Sequence, residues 1–464
     1  MSPTAPAEAP GELARIREVL AIRPFRRLWL VLGISSLGDW MGLLAVSTFA
    51  ASEVSGTVAK GLAFGGVMAV RLLPALLLGP VAGVVADRFD RRLVLVLCDL
   101  TRFVLFASIP TVGLLVAAPA VVVGWATFAT FLIEAVGMVW SPAKEAAVPN
   151  LVPAGRLETA NQLSLATSFG ITPVLGGLLI AGLDGLVVLF GSAIPSWLHA
   201  SDIALYFNAA TFLANALVVW YAIREISGRN GHPQSAGALR TLLDGWSYVG
   251  HTRLVRGLTV GILVAFCGAG AVIGTAMFYA RSLGGANATF ELLFGALFAG
   301  FAVGIASGPV LVHDLSRRRW FGVSIALTGY SVALLAPAPH LAVALPVCFA
   351  AGAGAGMALL CGMTLLGGEV GDEVRGRVFA FVQTGARVVL LASIFVSSVL
   401  VGIGGSHWVR LGDVAFSVST ARVILLAVGI AMATAGALTL RQIDDRAGVP
   451  LLADLRAALR GRKR

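Results

Sequence analysis

Twelve apolar runs, each close to 20 residues or longer and each bounded by Gly, Pro or charge clusters, constrain this chain more than any other feature. A hydrocarbon core about 30 Å thick is crossed by roughly 20 helical residues, because each advances the helix about 1.5 Å. The runs fall at about 27–50, 61–85, 93–116, 120–141, 159–182 and 203–223. Six more follow at about 254–279, 289–312, 320–338, 341–366, 378–402 and 420–440. Only 12% of the residues are charged and 58% are hydrophobic, against about 25% and roughly 45–50% in soluble domains. A chain of 464 residues with that balance cannot cover a water-facing surface, which excludes a soluble enzyme, a disordered protein and a coiled coil. In lipid every backbone polar group must be satisfied internally, so the runs are predicted to be helices. The fold expected is an all-α membrane protein with 12 transmembrane helices.

The basic residues are placed asymmetrically. With the N-terminus inside, 27 of the 34 Lys and Arg lie in cytoplasmic tails and loops. That bias predicts both termini in the cytoplasm and a multi-pass protein of the inner (plasma) membrane. The net charge of +10 is then a topology signal, and no nucleic-acid partner is expected. Residues 1–26 form an N-tail, in which 11–27 reads as a basic amphipathic helix on the membrane surface. One six-helix half covers 27–223, a polar cytoplasmic linker 224–253, a second half 254–440 and a basic C-tail 441–464. The end of that tail is placed to touch anionic lipid. The loop after span two reads Asp87-Arg88-Phe89-Asp90-Arg91-Arg92, and the loop after span eight reads Asp314-Leu315-Ser316-Arg317-Arg318-Arg319. The shared D-x-x-x-R-R, at the same point of each half, suggests the duplicated layout of many secondary transporters.

Other chemistry is missing. A phosphate-cradling Walker A loop needs Gly-Lys-Ser/Thr, and none of Lys60, Lys144 and Lys463 precedes Ser or Thr. The six histidines have no metal-ligand spacing, and the four cysteines lie inside apolar stretches as free thiols. No enzyme activity, cofactor or metal site is expected.

The segment Gly83-Val84-Val85-Ala86-Asp87-Arg88-Phe89-Asp90-Arg91-Arg92 resembles the G-x-x-x-D-R-x-G-R-R signature of the major facilitator superfamily, with Asp90 where glycine is usual. That glycine suits a left-handed turn, which Asp tolerates better than most residues. The resemblance implies two six-helix halves that rock about a central site, and a cytoplasmic gate made by the loop. Gly83 would allow spans two and eleven to pack closely. Asp87 would sit against the N-terminal end of span eleven near Gly376–Val378, where a carboxylate meets the positive end of a helix. Arg88, Arg91 and Arg92, with Asp314 and Arg318 of the second loop, complete that gate. Phe25-Arg26-Arg27-Leu28-Trp29, Ser36-Leu37-Gly38-Asp39-Trp40, Arg71-Leu72-Leu73-Pro74-Ala75, Ser141-Pro142-Ala143-Lys144 and Thr172-Pro173-Val174-Leu175-Gly176-Gly177 are similar to the macrolide-efflux and enterobactin-exporter branch. Thr172 replaces the first glycine of the drug–proton antiporter motif G-P-x-x-G-G, and span four carries no R-x-x-Q-G.

Charges inside spans are costly unless paired or wetted, and so are candidate functional groups. Asp39 and Arg71 lie roughly 18 Å and 21 Å from the cytoplasmic ends of their spans at 1.5 Å per residue. Their similar depth suggests an Asp39–Arg71 pair, serving either as a proton site or as a fixed structural link. Glu134, roughly 10 Å deep by the same rise, is a second proton site or, by the resemblance, a latch to Arg91. Asp99 and Arg102, three residues apart, can satisfy each other on one helix. Gln383 and Arg387 share a face of span eleven, for substrate or as a brace. Asn208 and Asn215 share a face of span six, suited to interhelical hydrogen bonds. Gly176 and Gly177 of span five, and Gly300, Gly304 and Gly308 of span eight, permit close helix approach; the resemblance puts those spans in contact across the halves. Trp40, Phe64, Trp140, Phe266 and Tyr279 are candidates for an aromatic lining or for lipid-facing anchors. The 183–202 loop, with Pro195, Trp197 and His199, has no assigned role.

The expected function is a monomeric secondary transporter that exports a small amphipathic compound, a drug or siderophore, in exchange for protons, with sodium as the alternative ion. The other readings are a lysophospholipid flippase of the same fold, and a non-transporting membrane sensor or scaffold.

Overall fold

The computed structural model describes residues 12–78, 90–153, 156–190, 195, 199–223, 246–285, 287–311, 316–370, 372–411, 414–446 and 448–449. Twelve span helices are described. In the first half they are Arg23–Ser52, Thr57–Leu77, Arg91–Leu115, Pro119–Leu151, Leu157–Leu189 with a π-helical turn at Ala166–Ile171, and Ala200–Ala222. In the second they are Arg253–Ser282, Asn287–Leu311, Arg317–Leu335, Leu341–Glu369, Asp372–Gly404 and Thr420–Ile443. Eleven are long and apolar enough to cross a membrane; the ninth is 19 residues long and opens on three arginines. A short helix, Glu12–Leu20, precedes span one.

Helix ends differ from the apolar runs because a helix continues into water wherever its caps allow. Span four runs on to Leu151 rather than stopping near residue 141, and span five reaches Leu189 rather than 182. Span three starts at Arg91 because Asp90 caps it, its carboxylate accepting from the N–H groups of Arg92 (3.0 Å) and Leu93 (3.2 Å). Asp90 has φ −61° and ψ 125°, so it is an ordinary N-cap and not the left-handed turn residue expected from the missing glycine. Span two breaks at Arg71-Leu72, and Pro74, two residues on, has no N–H to return to the preceding turn. Span eleven ends on Gly405 at φ +59°, whose N–H bonds the Val401 carbonyl at 3.0 Å. A hairpin absent from the sequence reading follows, β1 (Ser406–Leu411) antiparallel to β2 (Val414–Ser419).

The second arginine of each repeated Arg-Arg pair reaches the end of the last span of its half. Arg92 donates to the carbonyls of Val219 (Nε, 3.3 Å) and Trp220 at the C-terminal end of span six. Arg319, 227 residues on, is 1% exposed and grips the end of span twelve. Its Nε meets Asp444 Oδ1 at 2.7 Å, and its Nη2 donates to Asp444 Oδ2 and to the carbonyls of Val449 (3.0 Å) and Arg446. The last carbonyls of a helix have no intrahelical donor, and Arg92 satisfies two of them on span six; Arg319 instead ties down the segment that leaves span twelve. The hydrogen bond from Arg319 holds Asp444 below the usual carboxylate range.

Buried side chains form one cluster that joins both halves and two that do not. The joint cluster includes Met41, Phe49, Phe64 and Ile180 with Met277, Phe290 and Ile394. Val94, Leu151 and Ile223 belong to a cluster of the first half alone; Leu258, Phe321 and Val378 belong to one of the second half alone. The separate clusters lie at the helix ends that carry the arginine-rich loops, and the joint one lies at the opposite ends. Among the described residues, the halves therefore share a buried apolar core only on the side away from those loops.

Small residues make the seal. Cβ atoms at Gly61 and Gly65 of span two would run into Ser398 of span eleven, and one at Gly177 would lie 3.2 Å from Gly295 Cα of span eight. Gly176 packs instead on Trp40 and Met41 of span one. Gly300 and Gly304 do not face span five: their neighbours are the backbones of Phe349 and Ala353 in span ten, so this stripe packs inside the second half. The surroundings of Gly308 lie outside the described residues.

Candidate functional site

Asp39, Arg71, Arg102, Glu134 and Trp140 line one cavity of about 350 Å³ between spans one to five, together with Phe169 of the π turn. Its size falls within the range of about 300–1,000 Å³ found for small-molecule sites. Two ion pairs cross it. Arg102 Nη2 meets Asp39 Oδ1 at 2.9 Å, and Arg71 Nη2 lies 2.5 Å from Glu134 Oε1. The Asp39–Arg71 pair expected from depth is absent, because span three, not span two, turns its arginine toward Asp39. Glu134 is taken by Arg71, not by Arg91. It also lies deeper than expected, 17 residues or roughly 26 Å from the end of the longer span four. Asp39 is roughly 24 Å from the start of span one by the same rise, so the two carboxylates share one level.

Arg102 does not pair with Asp99. Its guanidinium lies 4.0 Å from the Phe212 ring centroid and 5.5 Å from that of Trp140. Asp99, 0% exposed, accepts instead from Asn215 Nδ2 at 2.7 Å, which ties span three to span six. Asn208 packs against Gly38 and Gly42, where a Cβ would strike its side chain, and so holds spans one and six close. Lys144 sits over the Trp140 ring at 4.9 Å.

The π turn adjoins this cavity through Phe169, and the Ser168 carbonyl beside it accepts side-chain donors. Trp40 Nε1 donates to it at 2.8 Å, and the Thr172 hydroxyl lies 3.1 Å away. Thr172 Oγ1 also meets Ser36 Oγ at 2.9 Å. The threonine in place of glycine thus supplies hydroxyl contacts that glycine could not. Trp40 in turn touches the second half, its ring centroid 4.7 Å from that of Phe298 and 5.9 Å from that of Phe294.

Other expected residues fall elsewhere. Gln383 is exposed, Arg387 is half-buried, and neither lines the cavity. Gly83, Asp87, Arg88 and Asp314 lie outside the described residues, as does Trp197. Arg91 is buried at the start of span three. Arg318 meets Glu369 of its own half at 2.5 Å. Of the aromatic candidates Trp140 lines the cavity, whereas Phe64 is buried against Phe290 and Tyr279 donates to the Leu335 carbonyl at 2.6 Å. Phe266 packs on the core of the second half.

The sequence reading passed over Glu291 and Asp184, which sit on the sealed side. Glu291 is the lone acid in the run Ala288-Thr289-Phe290-Glu291-Leu292-Leu293, and that isolation was the available signal. His199 caps span six together with Asp202, whose carboxylate accepts from the His199 N–H at 2.9 Å. Burial and the nearby Asp202 raise the Glu53 carboxyl above its ordinary value.

A bundle of twelve apolar helices in two halves that share a buried core at one end, with a charged cavity among the helices of the first half, is the architecture of a membrane transporter. The profile of the Major Facilitator Superfamily matches residues 28–391, and the chain belongs to that family. It is 27% identical over 409 residues to the uncharacterized MFS-type transporter Rv0037c of Mycobacterium tuberculosis, covering 83% of this chain and 86% of that one. It is 28% identical over 242 residues to the uncharacterized MFS-type transporter YfiS of Bacillus subtilis, a match that spans about half of each protein (50% and 51%). The fold is similar to that of the nucleoside transporter NupG, crystallised as a point mutant (TM-score 0.70, 12% identity, 90% of this chain and 100% of that one). It is also similar to an inward-facing bacterial homologue of the lysosomal transporter Spinster (TM-score 0.65, 15% identity, 95% and 98%). The protein is a transporter and not an enzyme.

Proposed function

We propose that this transporter exports a small amphipathic compound, of the drug or siderophore kind, in exchange for protons. It works by alternating access as a monomer in the inner membrane, with both termini in the cytoplasm. The observation that carries the reading is the cavity in which Asp39–Arg102 and Arg71–Glu134 lie side by side. Two acid–arginine pairs at one depth can exchange partners with a cationic solute or with a proton, at little net change in buried charge. The Trp140 and Phe169 faces suit the apolar part of an amphipath. Joint packing away from the arginine loops, with separate cores beneath them, fits an inward-facing state under the positive-inside rule. Asp39 takes the proton when Arg102 turns away and releases it when the pair reforms. The loop residues Gly83, Asp87, Arg88, Arg91 and Arg92, with Asp314 and Arg318, are assigned to the closed state of the arginine side, and Gln383 and Arg387 to bracing the halves.

The test is uptake of a fluorescent lipophilic cation into proteoliposomes under an imposed pH gradient. Gradient-driven accumulation that Asp39→Asn abolishes supports the reading. Transport indifferent to both the gradient and the substitution refutes it, and flux of labelled lysophospholipid alone favours a flippase.

A further inference from the structure

Glu291 is the fifth residue of span eight, is 1% exposed, and its Oε2 has no hydrogen-bond partner. It lines a cavity of about 80 Å³ on the sealed side. The remaining walls include Thr48 and Ser52 of span one, Asp184 of span five, His199 before span six and Asn287. Span five closes over it at Gly177, where a Cβ would lie 2.8 Å from the Glu291 carbonyl oxygen. Glu291 thus belongs to the second half and is walled in by three helices of the first. Any parting of the halves on this side uncovers it.

The surrounding charges do not neutralise it. Span five contributes Asp184 and span six Asp202, with His199 engaged by Asp202 at 3.4 Å. Span one ends at Glu53, and the neighbours in its own half bring Arg281 at the end of span seven and His340 before span ten. Among the described residues no ion pair joins Glu291 to a cation. A carboxylate buried beside another acid, without a cation, is strongly disfavoured as an anion, and the penalty vanishes once water reaches it.

We infer that Glu291 is a proton-binding site that latches the sealed side. Its carboxyl is protonated and neutral while the halves are closed, and passes that proton to water when the junction opens. Acid on that face then favours closure and alkali favours opening. With that face outside, an acidic exterior returns the empty carrier to the state described above. This deepens the proton-exchange reading, but it requires only that the halves part on this side, not that Asp39 carries the coupling.

The test follows the opening itself, without solute or gradient. Spin labels are placed at Val58→Cys and Ile403→Cys, on facing ends of spans two and eleven, after replacing the four native cysteines. In lipid nanodiscs, the ratio of the long-distance population to the short-distance population is expected to rise by up to about tenfold per pH unit across one titration, the limit for a single linked proton. Glu291→Gln is expected to hold the short distance at every pH, and Glu291→Asp and His199→Gln to retain the response. The short distance at low pH reports that each variant is folded. A wild-type protein that ignores pH, a Glu291→Gln variant that still responds, or loss of the response in His199→Gln overturns the assignment. Asp39→Asn is expected to leave the response intact, so failure of the latch is read separately from failure of coupling at Asp39.

Discussion

Replacing Arg102 with Met removes the cation that holds Asp39 and that stacks on Phe212. The Arg102 side chain is 7% exposed and that of Asp39 is 30% exposed, through the cavity. Breaking a fully buried pair costs about 3–5 kcal/mol; water in the cavity partly rehydrates Asp39, which puts this site near about 2–3 kcal/mol. Loss of the guanidinium over Phe212 adds roughly 0.5–1 kcal/mol. Asp39→Asn alone strands Arg102, but the aromatic faces and Asp99 nearby soften the loss, so it is expected to cost less. In Arg102→Met/Asp39→Asn the stranded charge is gone, and a coupling energy of about 2 kcal/mol is expected between the sites. Reversible SDS titration of the purified protein in mixed micelles, applied to the four proteins of the cycle, measures it. Additive effects, with no recovery in the double variant, would refute the claim that Asp39 depends on Arg102.

Three further outcomes follow from single contacts. Gly177→Ala drives a methyl against the Glu291 carbonyl, costing roughly 1–3 kcal/mol in the sealed state; labelling of a cysteine at Asn287 by an impermeant maleimide should speed up. The Arg319–Asp444 clamp contributes stability that is full above the ordinary Asp value and is lost as pH falls through the depressed value of Asp444. Proteolysis beyond Ile443 should therefore accelerate in acid in the wild type, while Asp444→Asn is already fast at neutral pH. Asp90→Ala removes the cap of span three, for about 1 kcal/mol, whereas Asp90→Gly, the residue usual in the signature, should cost only a few tenths; the same SDS titration ranks them.

The twelve helices were legible because lipid imposes one rule on every span: an apolar run of sufficient length, bounded by charge. The loop repeat was legible too, and the matched grips of Arg92 and Arg319 give it a structural meaning that the pattern alone lacked. The partners inside the cavity were not legible. Position along a helix gives depth, but pairing also needs the rotation of each helix and the identity of its neighbours. Asp39 and Arg71 therefore looked matched, while rotation of span three brings in Arg102, and Arg71, at the break in span two, meets Glu134. The glycine stripe of span eight failed in the same way, since spacing shows that a face is smooth without showing which helix lies against it. Glu291 sits so near the start of its span that sequence could place it in interfacial water. Only the packing of spans one, five and six over it reveals the burial.

Proton exchange at Asp39 is tested most directly by recording pH in weakly buffered proteoliposomes while a solute gradient is applied. Solute movement in one direction should drive proton movement in the other; Asp39→Asn should abolish the proton signal, and Glu291→Gln, held closed, should stop solute and proton movement together. Solute flux with no proton movement, or a proton signal that survives Asp39→Asn, would contradict it.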